Sequence, residues 1–314
     1  MSFARRVAPL GNTSVGWFPV PSDRLSWSVV AHWAVTALAF VAVAIGFSFE
    51  APFFTMAICA AILLFGLPHG TLDLALVGKS ESVFQDFGIV LLYLGLAAAM
   101  YAVWQVHSGT ALLVFFALSI AHFAEDWADR LPPFFAHGTA TAIVLAPVIL
   151  HRADIEMLFG FLVDAGSSNI ATDVAILLAP LALAAAAVGI LSLWFDGHRQ
   201  MAVSTGLAVA AMVILPPLVG FALFFCLMHS PTQLSAGLAQ LEWQHDRKWL
   251  RVVMPMTVAA LGIAATIFAG GTVVSVSQSL VMTVFVTLSV LTVPHMAVPL
   301  VMQRVAHSYG LRSV

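Results

Sequence analysis

Charge is what this sequence has least of. Only 9% of its 314 residues are Asp, Glu, Lys or Arg, 12 basic against 15 acidic, for a net charge of −3. A soluble domain carries about a quarter charged residues. No basic run is available to follow a phosphate backbone, so nucleic acid is not an expected partner. Cysteine is scarcer still. Cys59 and Cys226 each stand inside an apolar stretch, which argues against a disulfide framework, an iron–sulfur cluster or a structural zinc site. The only lysines, Lys79 and Lys248, fall between apolar stretches, so a retinal Schiff base within a helix has no amine to form it.

What fills the chain instead is hydrocarbon. Hydrophobic residues make up 61% of it, more than a water-soluble core can absorb, so most of the chain is solvated by the lipid bilayer. A membrane span needs about 20 mostly apolar residues. That rule predicts helices at 27–49, 52–77, 84–106, 111–128, 134–151, 173–195, 202–228, 250–270 and 277–303. The expected fold class is therefore all-α, a polytopic integral membrane helix bundle of about 8–10 spans. Residues 1–26 read as a polar amino-terminal segment without the apolar run of a signal peptide, 27–303 as one transmembrane domain and 304–314 as a carboxy-terminal tail. The amphipathic stretch from Asp154 to Asn169 is expected along the interface. Lys and Arg divide six to six between the two faces, so charge does not fix the orientation.

Ionisable groups inside spans are costly, which makes each one a functional hypothesis. Of the eleven histidines, His107, His137, His151, His198, His245 and His307 fall at span ends or in loops. His32, beside Trp27 and Trp33, reads as an interfacial residue. Four remain. His69 and His295 each follow a proline, His229 is followed by Ser230-Pro231, and His122 precedes Glu125 and Asp126. Proline breaks the backbone ladder, which lipid tolerates only where other groups re-satisfy the backbone.

Asp73, Asp126 and Gln233 lie four residues after His69, His122 and His229, on the same helical face. A metal-bound imidazole gives its other N–H to a carboxylate or carbonyl, so Asp73, Asp126 and the adjoining Glu125 are candidate catalytic carboxylates, either as such acceptors or as ligands. A single membrane histidine commonly just bonds a neighbouring helix, at about 1 kcal/mol. Four in these contexts point to a shared metal site. Imidazole suits Zn, Cu, Fe and Ni; all-nitrogen ligation with open positions suits a non-haem iron that admits dioxygen, and leaves catalytic zinc open. A transporter with broken helices would also explain the prolines, but no paired hydropathy halves accompany them. With nine spans, His69 and His122 lie toward one membrane face and His229 and His295 toward the other. Either they meet near the midplane or a span between 134 and 228 is misplaced, and Pro216-Pro217 marks the seventh.

At these residues the sequence resembles the Brp/Blh family, bacteriorhodopsin-related membrane proteins that cleave β-carotene to retinal. The resembling pieces are Gly66-Leu67-Pro68-His69-Gly70-Thr71-Leu72-Asp73, Ser119-Ile120-Ala121-His122-Phe123, Phe225-Cys226-Leu227-Met228-His229-Ser230-Pro231 and Pro294-His295. The resemblance implies a multi-helix protein of the bacterial inner membrane with histidine-bound Fe(II), acting as an oxidoreductase on a carotenoid with dioxygen as co-substrate. It places His69, His122, His229 and His295 at the metal, and Phe123, Trp127, Phe224 and Phe225 where they could line a polyene tunnel. It also implies a rhodopsin or pigment complex as a partner. Where the family reads His-Ser-Pro-Arg-His, this chain has Thr232 and Gln233 in the last two places, and Ala124 replaces a glycine. These departures keep a second expectation open: a carotenoid- or retinoid-binding membrane protein without catalysis.

Overall fold

A computed structural model of the chain describes residues 26–72, 83–241, 248–270 and 275–308. Among them every regular element is a helix, as the composition predicts. In chain order these are α1 Trp27–Ala44, α2 Pro52–Gly70, α3 Val83–Val106, α4 Ser108–Trp127, α5 Pro133–Ile149, α6 Arg152–Gly160, α7 Ala165–Phe195, α8 Arg199–Ile214, α9 Pro217–Gln240, α10 Lys248–Gly270 and α11 Val276–Ser308. Eight are long and apolar enough to cross a membrane, and α5 with α6, bent by 103°, would make a ninth. Large apolar side chains such as Leu38, Leu94, Leu177 and Phe195 face outward, where lipid replaces the protein core as their solvent.

Helix ends follow local chemistry. Ser26 caps α1 by accepting the Val29 N–H. The helix stops before the expected 49 because Gly46 adopts φ +80°, which lets the Phe47 N–H close onto the Ala42 carbonyl. Asp164 caps α7, accepting from the Ser167 N–H at 3.0 Å and its hydroxyl at 2.7 Å. Those bonds hold the Asp164 carboxyl below the usual carboxylate range. The stretch expected along the interface is thus divided, 152–160 forming the bent helix α6 and 165–169 the first turns of α7.

The largest difference from expectation lies at the seventh candidate. A proline forces the residue before it out of the helical region, and Leu215 is extended at ψ 157° before Pro216. Pro217 then opens α9 at a position where its missing N–H costs nothing. The predicted 202–228 helix is therefore two helices, and α9 continues through His229 to Gln240. The two helices pack closely beside the break, where a Cβ on Gly220 would stand 2.8 Å from the Ala211 carbonyl.

The helices carrying the last two histidines form the middle of the bundle. Half of the apolar window of α9 and 56% of that of α11 are buried, against 17% for α1. The central α11 packs on α3 and α10 and touches α2 and α4, while α9 lies against α1, α2 and α8. His32 is also internal rather than interfacial. Its Nε2 sits 3.3 Å from the Ser204 carbonyl of α8, and the neighbouring Trp33 donates to the Ser204 hydroxyl at 2.8 Å.

Candidate metal centre

Two of the four histidines are placed by the same device. Pro68 and Pro231 each remove a ladder hydrogen bond and would clash with the carbonyl four residues back. Each is preceded by a π turn, Ile62–Gly66 in α2 and Phe225–His229 in α9, which opens the ladder without ending the helix. Hydroxyl side chains bond backbone carbonyls around both breaks. The Ser230 hydroxyl donates to the Phe65 carbonyl at 2.6 Å, Thr71 donates to Pro68 and Thr232 to Met228, both at 2.7 Å. The two π turns face each other closely. A Cβ on Gly66 would stand 2.0 Å from Phe225 Cε1, so only glycine permits the approach. Phe225 in turn lies parallel to the His229 ring, centroids 5.6 Å apart.

The four imidazoles meet. Ring centroids are 4.8 Å apart for His122 and His229, 5.1 Å for His69 and His229, 6.0 Å for His69 and His122, and His295 lies 4.7 Å from His122 and 5.4 Å from His69. The Nδ1 hydrogen bonds of His69 and His229 then set the tautomers of those two rings. Ser230 has committed its proton to Phe65, so it accepts from His69 Nδ1–H at 3.2 Å. Asp126 accepts from His229 Nδ1–H at 2.8 Å, both side chains fully buried. Glu125 lies 3.3 Å from His122 Nδ1, with its own side chain 57% exposed. With these protons on Nδ1, the Nε2 lone pairs of His69 and His229 are left to other partners, as in metal-bound histidine.

His69, His122 and His229 each offer a ligand atom within 4.8 Å of the other two. The Nε2 atoms of His122 and His229 are 3.2 Å apart. Two imidazoles on one ion, each at about 2.1 Å and roughly 90–110° apart, separate their nitrogens by about 3.0–3.4 Å. At that distance one ring donates an N–H to the other, or both lone pairs share a cation, and the spacing fits a divalent transition metal.

The carboxylates are not used as the four-residue spacing predicts. Asp126 serves His229 from across the bundle, and Glu125 faces His122. The cause is the 3-10 turn Glu125–Trp127, which brings positions three apart onto one line. Gln233 does not turn toward the imidazoles; its Nε2 donates to the second Asp126 oxygen at 2.7 Å. Asp73 lies outside the described residues. Ser230 is the residue sequence reasoning missed, though its place between His229 and Pro231 signalled a backbone break in need of a donor.

His69, His122 and His295 line a mostly apolar cavity. Phe123 and Phe225 line it too. Trp127 and Phe224 stand behind that wall, fully buried and stacked at 6.5 Å, with the Trp127 N–H on Thr205.

Comparison with known proteins bears on what such a centre serves. A family model described as beta-carotene 15,15'-dioxygenase matches residues 60–303. The beta-carotene 15,15'-dioxygenase of the uncultured marine bacterium 66A03 is 27% identical over 254 residues, covering 76% of this chain and 90% of that protein. No solved structure matches.

Proposed function

The chain belongs to the beta-carotene 15,15'-dioxygenase family, and from that premise we propose that it is a multi-pass inner-membrane enzyme that cleaves β-carotene or a related carotenoid at the central double bond. One dioxygen is consumed per C40 polyene. The carbon–carbon double bond is broken and each carbon takes one oxygen atom, giving two C20 aldehydes, retinal, with no further reductant. The observation that carries the reading is the convergence of three imidazoles, His69 and His229 with Nδ1–H on an acceptor and His69 and His122 in the wall of an apolar cavity.

His69, His122 and His229 would hold Fe(II), with His295 beside them as a fourth nitrogen donor. When bound, the iron supplies the one-electron chemistry that lets dioxygen react with a polyene. The chain's own residues do the rest. Asp126, Glu125 and Ser230 are positioning residues that fix imidazole orientation and tautomer, and the two carboxylates offset the charge of a divalent ion. Phe123 and Phe225 hold the flat polyene against the histidine face, where orientation alone lowers the barrier. Trp127 and Phe224 stiffen that wall from behind. The apolar lining keeps water from the reacting bond. A rhodopsin or pigment complex in the same membrane would be a natural recipient of the retinal.

The test is expression in a β-carotene-accumulating bacterial host, with retinal quantified by chromatography and metal measured on the purified protein. The expected result is bleaching, retinal and about one iron per chain, all lost in His69→Ala and His229→Ala. A protein that holds carotenoid but neither iron nor cleavage activity would be a binding member of the family instead.

A further inference from the structure

An aromatic wall beside the histidine cluster separates two chambers, and only one of them has exposed residues in its lining. The chamber lined by His69, His122 and His295 reaches the lipid-facing surface between α3 and α10, where its lining residues Val90, Leu94 and Met256 are exposed. Both helices pack on α11, which floors the opening. The second, inner chamber is the smaller and lies between α4, α5, α6, α7 and α9, and none of its lining residues is exposed. Phe115, Ser119, Phe123 and Phe221 belong to both walls. Ser119 is the only polar side chain of the inner chamber, and it stands one turn before His122 on α4.

A rigid polyene cut at its centre must extend as far beyond the metal as before it. The open chamber gives no stop, because it leads into the bilayer. The inner chamber has a far wall built by Leu158 and Phe159 of α6 and Ala175 of α7. We propose that the carotenoid enters sideways from the bilayer between α3 and α10, and that the inner chamber is the ruler of the reaction: the leading end stops against residues of α6 and α7, and this sets which double bond stands at the histidines. The shared rings Phe115, Phe123 and Phe221 turn to join the chambers when the substrate passes. The inference rests on the cleavage reading above and adds to it what determines the cleavage position.

Ala175 of α7 is the smallest side chain of the far wall, and Leu158 of α6 lines the same chamber. Ala175→Phe raises the floor and slides the polyene outward. The neighbouring double bond then meets the histidines, and its cleavage puts one oxygen atom on each carbon: a C18 ketone at the methyl-bearing carbon and a C22 aldehyde. A misplacement of about 1 Å costs on the order of 100-fold in rate, so retinal should fall by about that factor while the C18 and C22 products appear. Leu158→Ala deepens the chamber and, β-carotene being symmetric, yields the same pair from the opposite slide; it also answers the question if Ala175→Phe fails to fold. Ala259→Phe, on α10 at the open chamber, should slow turnover and still give C20 alone. Products are separated by chain length from β-carotene in vesicles. Wild type giving C20 while Ala175→Phe and Leu158→Ala also give C20 alone, at whatever rate, overturns the ruler and leaves the cleavage reading intact. Wild type leaving the polyene whole overturns both.

Discussion

Replacing Gln233 by Leu should weaken metal binding by one to two orders of magnitude, although Gln233 is not a ligand. Its amide donates at 2.7 Å to one oxygen of Asp126, whose other oxygen takes the His229 proton at 2.8 Å. Asp126 has no exposed side-chain surface, so water cannot stand in for the lost donor. A hydrogen bond to a charged group contributes about 1.5–3 kcal/mol, and each 1.4 kcal/mol is tenfold in an equilibrium constant. The expected loss is then roughly 10–150-fold, in line with the 10–100-fold typical when a metal ligand's orienting partner is removed. The assay is titration of metal-free protein in detergent with Fe(II) or Co(II) against a chromophoric chelator. Because the two residues act through one carboxylate, Asp126→Asn combined with Gln233→Leu should cost less than the two single losses together. Gln233→His tests the competing reading, in which this position faces the ion. The geometry predicts no gain, since a histidine there would at best replace the donor to Asp126. Tightening of tenfold or more in Gln233→His, or an unchanged affinity in Gln233→Leu, would refute the reasoning.

Ser230→Ala removes the acceptor of His69 and the donor to the Phe65 carbonyl together; thermal unfolding in detergent should show a loss of about 1–3 kcal/mol, with weaker metal binding. Gly66→Ala drives a methyl group into Phe225, whereas Gly70→Ala meets His295 only at an ordinary 3.5 Å. The first should therefore abolish metal binding and cleavage and the second leave both within a few-fold, as read by metal content and retinal yield. Chelation should remove activity without unfolding the bundle, and Fe(II) should restore it where Zn(II) does not, since zinc has no redox chemistry.

Much of the fold was legible because lipid imposes one rule, that a span be long, apolar and helical. The four histidines stood out for the same reason, being polar where polarity is costly. What the pattern could not convey was phase. Spacing of four residues assigns Asp126 to His122 and Gln233 to His229, yet a single 3-10 turn at Glu125–Trp127 reassigns Asp126 to the opposite helix, and Gln233 follows it. Likewise Pro216 inside an apolar run was readable as a break, but whether the helix bends or ends depends on Leu215, whose extended backbone ends it. The departures Thr232 and Gln233 looked like lost function in one dimension. In three, Thr232 satisfies the Met228 carbonyl and Gln233 braces a carboxylate.

The paired π turns carry a consequence for how such a centre can arise and be lost. A π turn is an α-helix with one residue too many, and each residue of an α-helix advances the chain by about 100° and 1.5 Å. Deleting any one residue from Ile62–Gly66 would restore a regular ladder while swinging His69 about a quarter turn or more around its axis, away from Ser230. Deleting one of Phe225–Met228 would turn His229 away from Asp126 in the same way. The azimuths of these two ligands therefore depend on one extra residue in the turn, so a lone codon gained or lost in either segment would build or dismantle the centre.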